Sequence, residues 1–243
     1  MNRGDLRIFS LGSGSDYTPF LQHLGIASLN IGFGGESGGG SYHSVYDSFD
    51  HYTRFGDTDF AYGIALAKVC GRTTLRLADS DTVPFEVSNF AETVGQYASE
   101  VTRLIDTLRD ETKASNYAIT NNLWASVQNP KDKLVAPKVK DAVPFVNFAP
   151  LQNALLKLQT SAANYKQASA GRSPAAARQA ELDQILFKTE RSLTRTEGLP
   201  RRDWFRHQIY APGFYTGYGV KTLPGIREAI EQRNWKEAEE QIG

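Results

Sequence analysis

Ten apolar residues, Val87, Phe90, Ala91, Val94, Tyr97, Ala98, Val101, Leu104, Ile105 and Leu108, recur at i, i+3, i+4 and i+7 over about six turns. A strand alternates its side chains with period two and cannot gather such a stripe on one face. The pattern therefore demands a long helix and an apolar partner to lie against it. A second stripe holds Leu151, Ala154, Leu155, Leu158, Ala162 and Tyr165. A third opens at Ser173-Pro174 and runs through Leu182, Ile185, Leu186 and Leu193 to Gly198. Shorter helices are expected at 224–232 and 234–242, with Trp235 as a packing residue. Asn89 followed by Glu92 reads as a capping box. Helices with one apolar stripe each pack most simply as an antiparallel, four-helix-bundle-like domain.

The chain before this helical part has a different texture. Up to about Asp81, short apolar runs alternate with glycine-rich loops. Ser15 or Asp16 caps a helix with Pro19 in its first turn. Residues 24–31 read as that helix's end followed by a short buried strand. Residues 32–40, six of them glycine, form a loop, and a further helix is expected from Asp57 to about Val69. The expected class is mostly α: a small α/β fragment over residues 1–83, then a helical domain over 84–243. Residues 116–147, with Pro130, Pro137 and Pro144, read as an ordered excursion around the bundle.

Charge and cysteine usage exclude several functions. The formal net charge is zero, so no electrostatic case exists for nucleic acid or an anionic membrane surface. A single cysteine, Cys70, rules out an internal disulfide framework and a thiolate metal cluster. No apolar run approaches the ~18 residues that span a bilayer. No apolar core follows Met1-Asn2-Arg3-Gly4-Asp5, so it does not read as a signal peptide.

Chemistry concentrates in two loops, Leu11-Gly12-Ser13-Gly14-Ser15-Asp16-Tyr17 and Ser41-Tyr42-His43-Ser44-Val45-Tyr46-Asp47. Glycines in the first suit close backbone approach to a ligand, although by themselves they favour a tight turn capping a helix. In the second, His43 has Asp47 four residues on as an orienting group. By chemistry alone His43 is an ordinary loop histidine, because no His-Glu-x-x-His spacing accompanies it. The aromatic run around Pro212-Gly213 reads as packing, and Arg201-Arg202-Asp203 as a solvated turn.

These two loops, with Phe20-Leu21-Gln22-His23-Leu24-Gly25-Ile26-Ala27-Ser28 between them, resemble the end of the catalytic domain of zinc peptidases related to glutamate carboxypeptidase II. Arg206-His207-Gln208-Ile209-Tyr210-Ala211-Pro212, Tyr218 and Leu223-Pro224-Gly225-Ile226 are similar to the helical domain which that family shares with the transferrin receptor. The resemblance implies a carboxy-terminal part of a two-zinc exopeptidase, in which a bridging hydroxide attacks a peptide carbonyl. It implies His43 as a terminal zinc ligand and Tyr42 as a contact to substrate or tetrahedral intermediate. It implies Ser13 and Gly14 lining the substrate cleft, Tyr218 binding the substrate's C-terminal group, and homodimerisation through the helical domain.

Departures from the family pattern are equally informative. Gly217 stands where glutamate-selective members have a lysine, and Asn30 and Gly32 fall where arginines are placed. Both point to a less anionic substrate. Transferrin receptors have lost the histidine that His43 matches, so its presence points to an active peptidase. The remaining ligands and the glutamate base lie, in the family, upstream of the Gly-Ser-Gly loop. The chain alone is therefore expected to lack peptidase activity. The alternative is a non-catalytic helical dimerisation module. Relatives are commonly secreted or membrane-anchored, which favours an extracytoplasmic parent.

Overall fold

The computed structural model describes residues 8–34, 41–127, 129, 131, 135, 137–170 and 176–243. In chain order the main elements are α1 (Ala61–Ala78), α2 (Val87–Thr120), α3 (Ala149–Ser169), α4 (Ala176–Phe187), β1 (Tyr210–Pro212), β2 (Val220–Thr222), α5 (Pro224–Glu231) and α6 (Trp235–Ile242). The class expected from the sequence holds: helices dominate, and the described residues carry one two-stranded sheet. The chain forms two compact units. One comprises Met1–Ile26, Glu86–Ser173 and Glu190–Gly243; the other comprises Ala27–Phe85 and Pro174–Thr189. Neither unit is a single stretch of chain.

In the first unit α2 buries Ala91, Val94, Ala98, Val101, Ile105 and Thr112. Their steps of three, four and seven make a continuous seam. Ala98, Val101 and Ile105 join Val143, Val146, Phe148, Leu223, Ile226, Ala229, Ile230, Ala238 and Ile242 in one core, with Leu151, Leu155 and Trp235 against it. The helices around this core are α2, α3, α5 and α6. The third stripe instead forms α4 and ends at Phe187, short of the expected Gly198. The reason lies in the backbone that follows. Leu193 O accepts from Gln208 N (2.8 Å) and Arg195 N donates to Arg206 O (2.9 Å), so these groups are committed to a neighbouring segment and not to a helix. The Ser173-Pro174 cap falls outside the described residues.

The capping box is also corrected. α2 starts at Val87 with Glu86 in the cap position, so Asn89 lies in the first turn. The irregular excursion is ordered where it is described. Asn116 clasps Lys140 through both backbone groups (2.7 and 2.9 Å), Arg109 donates to Pro144 O (3.2 Å) and Arg233 to Asp141 O (3.0 Å). Those bonds seat Val143, Val146 and Phe148 in the core.

In the second unit α1 is longer than expected and starts on a buried acid. Asp57 accepts from Gly63 N (2.7 Å), Tyr62 N (3.1 Å) and the Tyr52 hydroxyl (2.9 Å). It thus serves the orphan amides of the helix start. Burial pushes the Asp57 carboxyl up, but these hydrogen bonds outweigh it and hold it below its ordinary value. The buried strand expected within 24–31 is absent. Residues 25–34 are irregular, and Leu29 and Ile31 are exposed at 55% and 37%. Among the described residues the strand pairings lie elsewhere, between β1 and β2 and at two isolated bridges. Of the glycine loop, residues 35–40 lie outside the described residues.

Candidate functional site

Pro19 opens a short π-helical turn, Pro19–His23, as the sequence indicates. No side chain caps it: Thr18 holds the cap position, and its hydroxyl donates to Ser15 O (2.8 Å). The Gly12-Ser13-Gly14 loop leading into it lies directly on the hairpin loop between β1 and β2. Ser13 N donates to Tyr218 O (3.3 Å). A Cβ on Gly12 would stand 2.2 Å from Tyr218 O, and one on Gly14 2.6 Å from the Tyr218 ring. Gly14 also has φ +95°, a conformation that disfavours any side chain. The loop turns into the helix as one of its two readings from sequence expects, and the neighbour its glycines approach is Tyr218. Three of the expected substrate residues, Ser13, Gly14 and Tyr218, therefore form one contact cluster in the first unit, with the Tyr218 side chain 63% exposed. Gly217 precedes it with φ +59° and open space where a side chain would go.

The hairpin is held from below by residues the sequence did not single out. Arg202 pairs with Glu228, donates to Pro212 O, and lies over the Phe205 and Phe214 rings. Glu228 also accepts from Phe214 N. Both side chains of the pair are about nine-tenths buried (11% and 9% exposed), so the expectation of a solvated turn fails at Arg202, while Arg201 and Asp203 are exposed. Burial raises the Glu228 carboxyl above its ordinary value and lowers the Arg202 guanidinium. One signal was available: Glu228 lies four residues after buried Pro224 and so shares its helix face. Arg201 grips Glu237, and Lys221 pairs with Glu231 at 2.7 Å.

His207 is fully buried. Its Nδ1 accepts from Ile209 N (3.2 Å) and Tyr210 N (3.1 Å), which assigns the proton to Nε2, facing Glu190 Oε1 at 2.9 Å. Tyr210 stacks on the ring, and burial holds its hydroxyl well above its ordinary pKa. His23 stacks on Trp204 and its Nδ1 lies 2.8 Å from Trp204 O. His207 and His23 are thus committed to structure.

Tyr42 and His43 belong to the second unit. Their rings stack at 3.8 Å between centroids, on a turn closed by Ser44 N to Ser41 O (3.0 Å). His43 is exposed and has φ +59°, a strained conformation for a non-glycine residue and one that concentrates at functional sites. Asp47 accepts from the His43 backbone N–H (3.4 Å), so it braces the turn and does not hold the ring. A peptidase zinc requires three or more protein donors. His43 offers one of suitable chemistry. Among the described residues no group of three His, Cys, Asp or Glu could hold a metal ion, so the described part of the chain does not complete a zinc site. No described helix is long and apolar enough to cross a membrane.

Residues 146–243 match the transferrin receptor-like dimerisation domain. Over nearly its whole length the chain is similar to larger peptidases. A probable glutamate carboxypeptidase of Arabidopsis thaliana is 30% identical over 238 residues, 95% of this chain and 29% of that protein. A probable glutamate carboxypeptidase of Arthroderma benhamiae is 33% identical over 235 residues, 96% of this chain and 28% of that protein. An aminopeptidase of Rattus norvegicus is 25% identical over 250 residues, 96% of this chain and 29% of that protein. The chain thus resembles part of a glutamate carboxypeptidase-like protein and includes its transferrin receptor-like dimerisation domain. It spans under a third of the length of these relatives.

Proposed function

We propose that this chain is the portion of a two-zinc exopeptidase that supplies substrate-pocket residues, one metal ligand and the homodimerisation bundle. In this reading residues 1–83 belong to the catalytic domain and 84–243 to the dimerisation domain. The observation that carries it is the closure of Gly12-Ser13-Gly14 on Tyr218, which joins two distant motifs in one surface cluster. A glycine-rich loop backbone beside a phenol suits a peptide's terminal carboxylate and backbone. The exposed Tyr42 hydroxyl, on a ring stacked against His43, is the donor toward the reacting carbonyl. His43 is a terminal ligand of one zinc ion, and the other ligands and the base come from residues this chain does not contain. Zinc, when bound, polarises a carbonyl and acidifies water. Gly217 offers no side chain where glutamate-selective members have a lysine, which favours substrates without an acidic terminal side chain.

The decisive experiment is His43→Ala in a peptidase-length protein containing this chain. Hydrolysis of dipeptides is expected to be lost with self-association intact, and unchanged hydrolysis refutes the ligand role. The purified 243-residue chain, zinc-loaded, is expected to hydrolyse no dipeptide and to be a dimer by light scattering. The second reading, a dimerisation module without catalysis, draws on the family match confined to 146–243. Activity in the longer protein would exclude it.

A further inference from the structure

Gln22 has relative exposure of 0% and sits where three segments meet. Its Nε2 donates to Leu11 O (3.1 Å) and Gly12 O (2.9 Å). Its main-chain oxygen accepts from Arg206 N (2.8 Å) and His207 N (3.2 Å). Its Oε1 has no hydrogen-bond partner among the described residues. Burying an amide with an idle acceptor is unfavourable, so the two N–H donors are what the position needs. The opposite amide orientation would set Oε1 against two carbonyl oxygens and is excluded.

From Gln22 a hydrogen-bonded circuit can be followed back to its start. Gln22 O holds His207 N, and His207 Nδ1 holds Tyr210 N, the first residue of β1. β1 pairs with β2, and the loop between them carries Tyr218. Tyr218 O then accepts from Ser13 N, next to the Gly12 carbonyl that Gln22 grips. Every link but the Gln22 amide is main chain or the buried His207 ring. The Gln22 side chain is therefore the adjustable member that sets where the Gly-Ser-Gly loop stands relative to Tyr218.

We propose that Gln22 is a positioning residue for substrate binding, holding the Ser13 and Gly14 backbone in register with Tyr218. It rests on the reading of those three residues as the substrate pocket. Glutamine suits the task because one nitrogen carries two donors at this reach, whereas the near-isosteres methionine and glutamate carry none.

The test is NMR of the 243-residue protein and its Gln22→Met variant. In the parent, the Gly14 α-protons lie against the Tyr218 ring and carry its ring-current shift. Gln22→Met is expected to collapse that shift and to speed Ser13 amide exchange about tenfold, while Val101 and Ile230 amides stay protected. Leu21→Ala, which empties a buried site on the same turn, is the control. It should lower stability and leave the Gly14 shift in place. An unchanged Gly14 shift and Ser13 exchange in Gln22→Met overturn the inference. So does an equal loss in Leu21→Ala, which would mark a merely structural role. Should Gln22→Met fail to fold, Gln22→Asn, whose amide is withdrawn by one methylene, is read the same way. Titration with N-acetyl-alanyl-alanine separates the two claims. If the parent's Ser13, Gly14 and Tyr218 resonances do not move, the substrate reading falls while the circuit stands. If they move, Gln22→Met is expected to need about tenfold more peptide, and equal affinity overturns the positioning role.

Discussion

Gly12→Ala and Gly14→Ala add the same methyl group to one loop, and the structure assigns them different costs. At Gly12 the new Cβ meets main chain: Tyr218 O at 2.2 Å and Val220 N at 2.9 Å. Both belong to the hairpin, where Gly213 N to Gly219 O (2.8 Å) and the β1–β2 ladder resist movement. Relief requires about 1 Å of separation, which breaks the Ser13–Tyr218 bond. Overpacking costs roughly 1–3 kcal/mol and the lost bond about 1 kcal/mol more, so about 3 kcal/mol is expected. At Gly14 the added Cβ meets the Tyr218 ring at 2.6 Å, but that side chain is 63% exposed and can swing away. What persists is the backbone strain of φ +95°, worth about 1–2 kcal/mol. All three tryptophans, Trp124, Trp204 and Trp235, lie in the first unit, so urea unfolding followed by tryptophan fluorescence reads that unit alone. Gly12→Ala should lose more stability than Gly14→Ala. In Gly14→Ala the Tyr218 ring should leave its site while the Ser13 amide stays protected. The reasoning is refuted if Gly12→Ala unfolds within about 0.5 kcal/mol of the parent, or if the order of the two is reversed.

Two pH dependences of opposite sign are expected. Burial raises the folded-state pKa of Glu228, so the fold binds more protons there than the unfolded chain. Its stabilisation is present below the ordinary value of 4.5 and is lost as pH rises through the folded pKa. The stability of the parent relative to Glu228→Gln, read by tryptophan fluorescence in urea, should therefore be greater at pH 4 than at pH 7, and a flat difference contradicts it. Asp57 is lowered: burial acts against it, but the Gly63, Tyr62 and Ala61 amides and the Tyr52 hydroxyl prevail. Its contribution is present above the ordinary value of 3.8 and is lost as pH falls through the lower folded value. Tyr62 and Gly63 amide protection should then fall on acidification in the parent, and be weak at every pH in Asp57→Asn.

Much of the helical architecture was legible in the chain because it repeats. The stripe from Val87 to Leu108 forced a long helix, and Pro224 and Asn234 marked the starts of α5 and α6. The motif residues were legible for a different reason: Gly12, Ser13, Gly14 and Tyr218 recur as a pattern whose meaning is carried by likeness. The errors have a common cause. The strand expected within 24–31 and the helix expected to Gly198 were judged by local propensity, yet each depended on how distant backbone bonded. The arginine turn was judged solvated because charge usually is, and only the fold could bring Glu228 to Arg202.

The amino-acid sequence by itself determined the helical class and the main amphipathic faces. These follow from periodicity and side-chain type, which are local properties. Tertiary structure alone decided that Gly12 and Gly14 face Tyr218, that Gln22 spends both donors on the loop carbonyls, and that Asp57 is a helix cap. Such pairings join residues up to about 200 positions apart, and a chain specifies them only through the packing that brings them within hydrogen-bond reach.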